Sequence, residues 1–190
     1  MKLYIAFVIF LFSFTNTGST IKLPPTYLTT PNGNVFKYRT YEGILQLQWN
    51  QKGKWKHCEY KFVVNGPEAH KPKFIAENDK YVLLRAGCGN PCWIGFFFPL
   101  NEGANAIIVN EYVAYDLNQD YVVSISNENK LQLLNLKTHQ FETIKSPKCE
   151  SAFSPYCIDT IYFQKKQLKF KWKTDLNSKK EHWYKFKISI

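Results

Sequence analysis

The chain has 190 residues, a formal net charge of +10, and 17% aromatic residues. That length supports one domain of ordinary size with a true core, and the charge favours anionic over cationic partners. Twelve Tyr and fifteen Phe against a single Met favour strands, which argues against a helical bundle or a coiled coil.

Lys2 precedes a nearly unbroken apolar run over residues 3–14, and residues 16–20 are small and polar. Such a twelve-residue run is too short to span a bilayer, which takes about twenty, but it suits a signal peptide. We expect cleavage near Ser19, so that residues 1–19 are a signal peptide and 20–190 a single β domain. No second long apolar run follows, so no integral membrane association is expected after cleavage. Cysteines at 58, 88, 92, 149 and 157 behind such a leader imply an oxidising compartment. The expected location is secreted or periplasmic, in a Gram-negative bacterium.

Residues 21–34 hold Pro24, Pro25, Pro31 and the pair Asn32-Gly33, and read as an extended leader ending in a turn. Strands are predicted over 35–41 and 44–49. In the second, Leu45, Leu47 and Trp49 alternate with Gln46 and Gln48, the period of a half-buried strand. A turn at 50–53 leads into a strand over 54–64, and 67–73 is a polar loop. Residues 80–100 form a central hairpin of two strongly apolar runs around a turn at 86–92. Further strands are expected at 106–109, 112–115, 121–126, 130–136, 141–144, 160–164, 167–173 and 182–190, with a Pro-containing loop at 145–157. No long segment carries helical periodicity between caps.

Asn78-Asp79-Lys80-Tyr81-Val82-Leu83 is echoed by Asn118-Gln119-Asp120-Tyr121-Val122-Val123 forty residues later, with Tyr41 and Ile161-Tyr162 near the same phase. Short strands at this period are the mark of propeller blades. The expected fold is all-β, antiparallel meanders in blade-like units of roughly forty residues. These would build a small or incomplete β-propeller, with a β-sandwich as the alternative.

Local pairing of Cys88 with Cys92 and of Cys149 with Cys157 is the simplest arrangement, and leaves Cys58 odd. Cys88-Gly89-Asn90-Pro91-Cys92 has three intervening residues and sits between strands, so a structural clip is favoured over a redox centre. The run Leu84-Arg85-Ala86-Gly87-Cys88-Gly89-Asn90-Pro91-Cys92 resembles a Gly-Cys-Gly-x-x-Cys hairpin found in small exported bacterial proteins of unknown function. Residues 159–163 with 168–172 are similar to the closing hairpin of those proteins. The resemblance implies a periplasmic β protein and brings no activity.

No metal site is expected, because His57-Cys58 and the cysteine pairs lack zinc-ligand spacing. No cofactor is expected either. His57, His70, His139 and His182 lie in polar or turn settings, and no nucleophile elbow or phosphate loop is present. Glu111, Asp116 and Asp120 read as solvated surface acids.

The expectation is therefore a non-enzymatic binding protein with a protein partner, of inhibitor or immunity type, contacting it through Gly87, Asn90, Pro91 and Trp93 at the hairpin tip. Two alternatives stand beside it. One is thiol-disulfide exchange at Cys88 and Cys92. The other is an anionic polymer bound by the basic C-terminal hairpin, where residues 165–190 hold nine Lys against Asp175 and Glu181. There Lys169, Lys171 and Lys173 alternate with Leu168, Phe170 and Trp172, and Lys185 and Lys187 share the phase of Trp183. The plainer account of those lysines is protection of an edge strand.

Overall fold

The computed structural model describes residues 24–41, 43–62, 71–87, 93–126, 128, 130–150, 157–174 and 181–190. Among them the fold is all-β, fifteen strands in four antiparallel sheets taken in chain order. The first sheet holds β1 (Thr26–Thr29), β2 (Val35–Tyr41), β3 (Ile44–Gln51) and β4 (Lys54–Lys61). The second holds β5 (Lys73–Glu77), β6 (Tyr81–Gly87), β7 (Trp93–Pro99) and β8 (Ile107–Asn110). The third holds β9 (Tyr112–Asp116), β10 (Tyr121–Ile125), β11 (Leu131–Asn135) and β12 (Phe141–Thr143). The fourth is the three-stranded meander β13 (Ile158–Gln164), β14 (Gln167–Lys173) and β15 (Glu181–Lys187).

Three apolar cores join the sheets as a row. Phe36, Leu45, Leu47 and Trp49 of the first sheet pack on Val82, Leu84, Ile94, Phe96 and Phe98 of the second. Leu83, Phe97 and Val109 face the other way, onto Tyr112, Val122 and Leu134 of the third. Val123, Leu131 and Leu133 then meet Leu168, Phe170 and Trp172 of the fourth. Because successive side chains on a strand point to opposite faces, the two inner sheets must be apolar on both. This is why β6, β7 and β10 read as continuous apolar runs. The two outer sheets bury one face each, so β3 and β14 alternate strictly.

Polar ties reinforce the row. Glu77 of β5 accepts hydrogen bonds from Thr30 Oγ1 (2.7 Å), the Asn32 backbone N–H (2.7 Å) and Asn34 Nδ2 (3.0 Å), fixing the β1–β2 turn to the second sheet. Gln51, nearly buried, donates to the carbonyls of Pro99 and Asn101 and accepts from the Gly103 N–H. Lys80 pairs with Asp120 at 3.0 Å across the second and third sheets. Tyr121 donates its hydroxyl proton to the Ile190 carbonyl at 2.6 Å, tying the chain end to the third sheet.

Two strands escape sequence reading. β1 lies in what reads as a leader, and β5 in the stretch between the polar loop and the central hairpin; both are short edge strands whose partners, β2 and β6, are their reason to extend. The forty-residue echo holds only between the inner sheets. Tyr81 and Tyr121 each open the second strand of a sheet and face the sheet that follows, while Val82 and Val122 face the one before. Tyr41 ends β2 and Tyr162 lies in the first strand of its sheet, so neither shares that position.

Cys149 and Cys157 form a disulfide, with Cα atoms 5.9 Å apart, and Cys58 carries a free thiol. The Glu150 N–H donates to the Thr174 carbonyl at 2.9 Å and holds the disulfide segment against the end of β14. Cys88 and Cys92 lie outside the described residues.

Candidate functional site

Four aromatic side chains on the described surface are candidate contacts: Trp55, Trp93, Phe141 and Trp183. The best organised is Trp93. β6 and β7 pair without a break from Tyr81↔Pro99 to Gly87↔Trp93, so the tryptophan stands at the end of a rigid two-strand ladder. Its ring is 43% exposed. The Arg85 guanidinium sits 4.2 Å from the ring centroid, a cation–π contact, and its charge also acts on the Tyr112 hydroxyl of the third sheet. Burial pushes the Tyr112 hydroxyl up to about 12, against the lowering effect of Arg85, so it stays protonated in any ordinary buffer. Arg85 is thus the neighbour of both an exposed Trp and a buried Tyr.

Around this centre Tyr60 donates to Asn110 Oδ1 at 2.9 Å, and burial followed by the nearby Glu111 raises its hydroxyl. Glu111, read from the sequence as a surface acid, has its carboxyl raised by burial and adopts φ 50° at the crossover from β8 to β9. Of the predicted tip, Gly87 ends β6 and Trp93 begins β7, while Asn90 and Pro91 lie outside the described residues. Arg85 and Tyr112 were missed. An arginine inside an apolar strand, Leu84-Arg85-Ala86, is the signal that could have found the first; Tyr112 has none, because the contact spans two sheets.

A groove of about 580 Å³ opens between β8 and the third sheet. Its floor carries Ser124, Gln132 and Thr143, which stand in register across β10, β11 and β12, and the same row continues to Tyr112 on β9.

The basic hairpin is less free than its sequence suggests. Lys171 and Lys173 both contact Asp159 and Glu181, with Lys173 at 3.1 Å from Asp159 and 3.2 Å from Glu181. These bonds hold Asp159 and Glu181 below their ordinary values and raise both lysines. Two of the five predicted binding lysines are therefore paired with acids within the sheet. Lys169 pairs in register with Lys185, and Lys187 with Gln167; none of these three lysines has an ion pair among the described residues. On the same face Trp183, 54% exposed, meets Tyr162 edge-on with centroids 5.9 Å apart.

The remaining sequence candidates fall apart in space. His57 is on β4, His139 in a turn at φ 59° and His182 on β15. Asp116 accepts backbone N–H bonds from Asn118 and Gln119, the role of a turn residue.

No protein-family model matches the chain, and no curated protein does. Among solved structures, the uncharacterized protein lmo1340 from Listeria monocytogenes EGD-e is similar to it at 14% identity with a TM-score of 0.41. That match covers 82% of this chain and 47% of the other, so the chain spans about half that protein's length.

Proposed function

We propose that the chain is a secreted, non-enzymatic binding protein that contacts a protein partner through the end of the second sheet, with Trp93 and Arg85 as anchors. The observation that carries this reading is the exposed Trp93 at the end of the β6–β7 ladder, with the Arg85 guanidinium 4.2 Å from its ring centroid. Tryptophan and arginine are the residues over-represented at interface hot spots, and an anchor braced before contact loses little entropy on binding. The disulfide at Cys149–Cys157 is compatible with an extracytoplasmic life. An inhibitor or immunity role is the form of such binding that suits a small rigid scaffold.

Photocrosslinking tests it. Benzoylphenylalanine placed at position 93 is expected to form a protein adduct in extracts of the source cells, whereas the same probe at exposed position 55 is not. Adducts from both positions, or from neither, would count against the Trp93 surface.

A second reading concerns the outer face of the fourth sheet. Lys169, Lys185 and Lys187 there surround the exposed Trp183 and Tyr162, a pattern that suits an anionic polymer through charge and ring contact. Its test is the salt dependence described in the Discussion.

A further inference from the structure

Four sheets in a row leave eight edge strands, and edges are normally protected by charge, because an open edge pairs with whatever strand it meets. Six of the eight carry at least one Asp, Glu or Lys: β4, β5, β9, β12, β13 and β15. β1, Thr-Tyr-Leu-Thr, has none, and directly follows Pro24-Pro25. β8, Ile-Ile-Val-Asn, has none either, and no proline precedes it.

The open side of β8 is the side that borders the groove, which Ile108, Val109 and Asn110 line. In an antiparallel strand every second residue directs its N–H and C=O away from its partner, so β8 offers unused backbone donors and acceptors beyond β7. Beneath lies the row Ser124, Gln132, Thr143. None of these three side chains has a hydrogen bond among the described residues, although Ser124 is only 5% exposed. Gln132 is half-buried and Thr143 exposed, so these polar groups stand open to the groove. Phe141, 60% exposed and opposite Leu134 on β12, stands on the same face. The charged residues of the groove, Glu128 and Lys130, neutralise one another at 2.6 Å.

We propose that this groove receives an extended, uncharged polar segment of a partner protein, which adds to the second sheet as a further strand beside β8. Its backbone takes the free donors and acceptors of β8. Its inward side chains meet the face of the third sheet that carries Ser124, Gln132 and Thr143, since facing sheets pack about 10 Å apart and one side-chain layer fills that gap. A charged segment finds no counter-ion there. The inference shares with the reading above the premise of a protein partner, but it concerns a different surface and can fail alone.

The test is selection of a phage-displayed library of random octapeptides on the full chain with its Cys149–Cys157 disulfide intact. The expected result is enrichment of uncharged peptides rich in Ser, Thr, Asn or Gln. Such a peptide slows amide exchange within 107–110. Methylation of its backbone nitrogens at alternate residues, in one of the two phases, weakens it about tenfold, the loss of one or two hydrogen bonds. Gln132→Ala and Thr143→Ala, both at the groove floor, each weaken it several-fold without altering exchange in the fourth sheet. Enrichment of no peptide, or of peptides indifferent to methylation in both phases, overturns the proposal. So does protection of 107–110 that rises with protein concentration in the absence of peptide, which would give the edge to a second copy of the chain. Loss of the Trp93 crosslink with peptide binding intact would overturn the Trp93 surface and leave this one standing.

Discussion

Gly95 on β7 lies directly against Tyr112 on β9: a Cβ added at Gly95 would stand 2.9 Å from Cδ1 of the tyrosine and 2.8 Å from Cε2 of Phe97. The second and third sheets therefore meet where only a glycine fits. The same tyrosine has its hydroxyl lowered, against the larger effect of burial, by Arg85, the residue that contacts Trp93. Gly95→Ala is expected to destabilise the fold by about 1–3 kcal/mol, the usual cost of overpacking, measured by urea denaturation. It is also expected to shift Trp93 emission at a denaturant concentration where the protein is still folded. An unchanged midpoint would mean that the sheets can part at no cost.

Glu77 couples the first two sheets through pH. Burial raises its carboxyl, but the hydrogen bonds from Thr30, Asn32 and Asn34 outweigh this, and the net direction is below the ordinary 4.5. A carboxyl depressed in the folded state stabilises it above the unfolded value, and that stability is lost as pH falls through the folded one. Glu77→Gln should therefore lower the melting temperature at pH 7 and bring it close to wild type near pH 3. Equal deficits at both values would contradict the role of the charge.

Cys58 pairs with Leu47 in register and packs its sulfur against the first core. Burial, followed by the neighbouring Glu59, pushes its thiol up to about 12 from 9.0. The thiolate is the reactive form, so at pH 8 iodoacetamide should modify Cys58 in the folded protein far more slowly than in urea, as read by peptide mapping. The sign for stability follows: between pH 9.0 and about 12 the unfolded chain has released a proton that the folded one keeps, so stability falls as pH rises through that window. Rapid labelling of the native protein would place the sulfur at the surface.

Charge on the fourth sheet is sorted into a self-neutralised cluster and a free group. Replacing the whole cluster by Asp159→Asn, Lys171→Gln, Lys173→Gln and Glu181→Gln keeps the net charge and is expected to leave retention on a heparin column unchanged. Lys169→Gln with Lys185→Gln and Lys187→Gln is expected to lower the eluting salt concentration clearly, with up to about one unit of logarithmic salt slope lost per contact removed. If the first set matters as much as the second, the polymer lies on the cluster instead.

Most of the scaffold was legible because it rests on period two. Leu45, Leu47 and Trp49, or Leu168, Phe170 and Trp172, announce one buried face, and the runs Tyr81-Val82-Leu83-Leu84 and Phe96-Phe97-Phe98 announce two. The order of the sheets follows once that distinction is drawn: alternating strands lie outside, continuous ones inside. The site was legible only in part. Trp93 stands out beside a cysteine turn, but its contact with Arg85 is set by the β6–β7 register, which the sequence does not display. The pairing of the lysines was hidden for the same reason. Lys171 and Lys173 look identical to Lys169 along the chain, and only the bulge between Ile158 and Thr160 brings Asp159 onto their face. β1 and β5 stayed hidden because a short edge strand takes its conformation from its neighbour.

Comparative capture shows most directly whether Trp93 anchors a protein partner. Wild type, Trp93→Ala and Trp55→Ala, each immobilised at equal density, are challenged with the same extract of the source cells. Both tryptophans are exposed and both carry a cation, Arg85 at 4.2 Å and Lys37 at 3.7 Å, so the second variant controls for loss of an exposed ring. The account predicts one protein retained by wild type and by Trp55→Ala and lost from Trp93→Ala. Equal retention by all three, or loss from both variants alike, would contradict it.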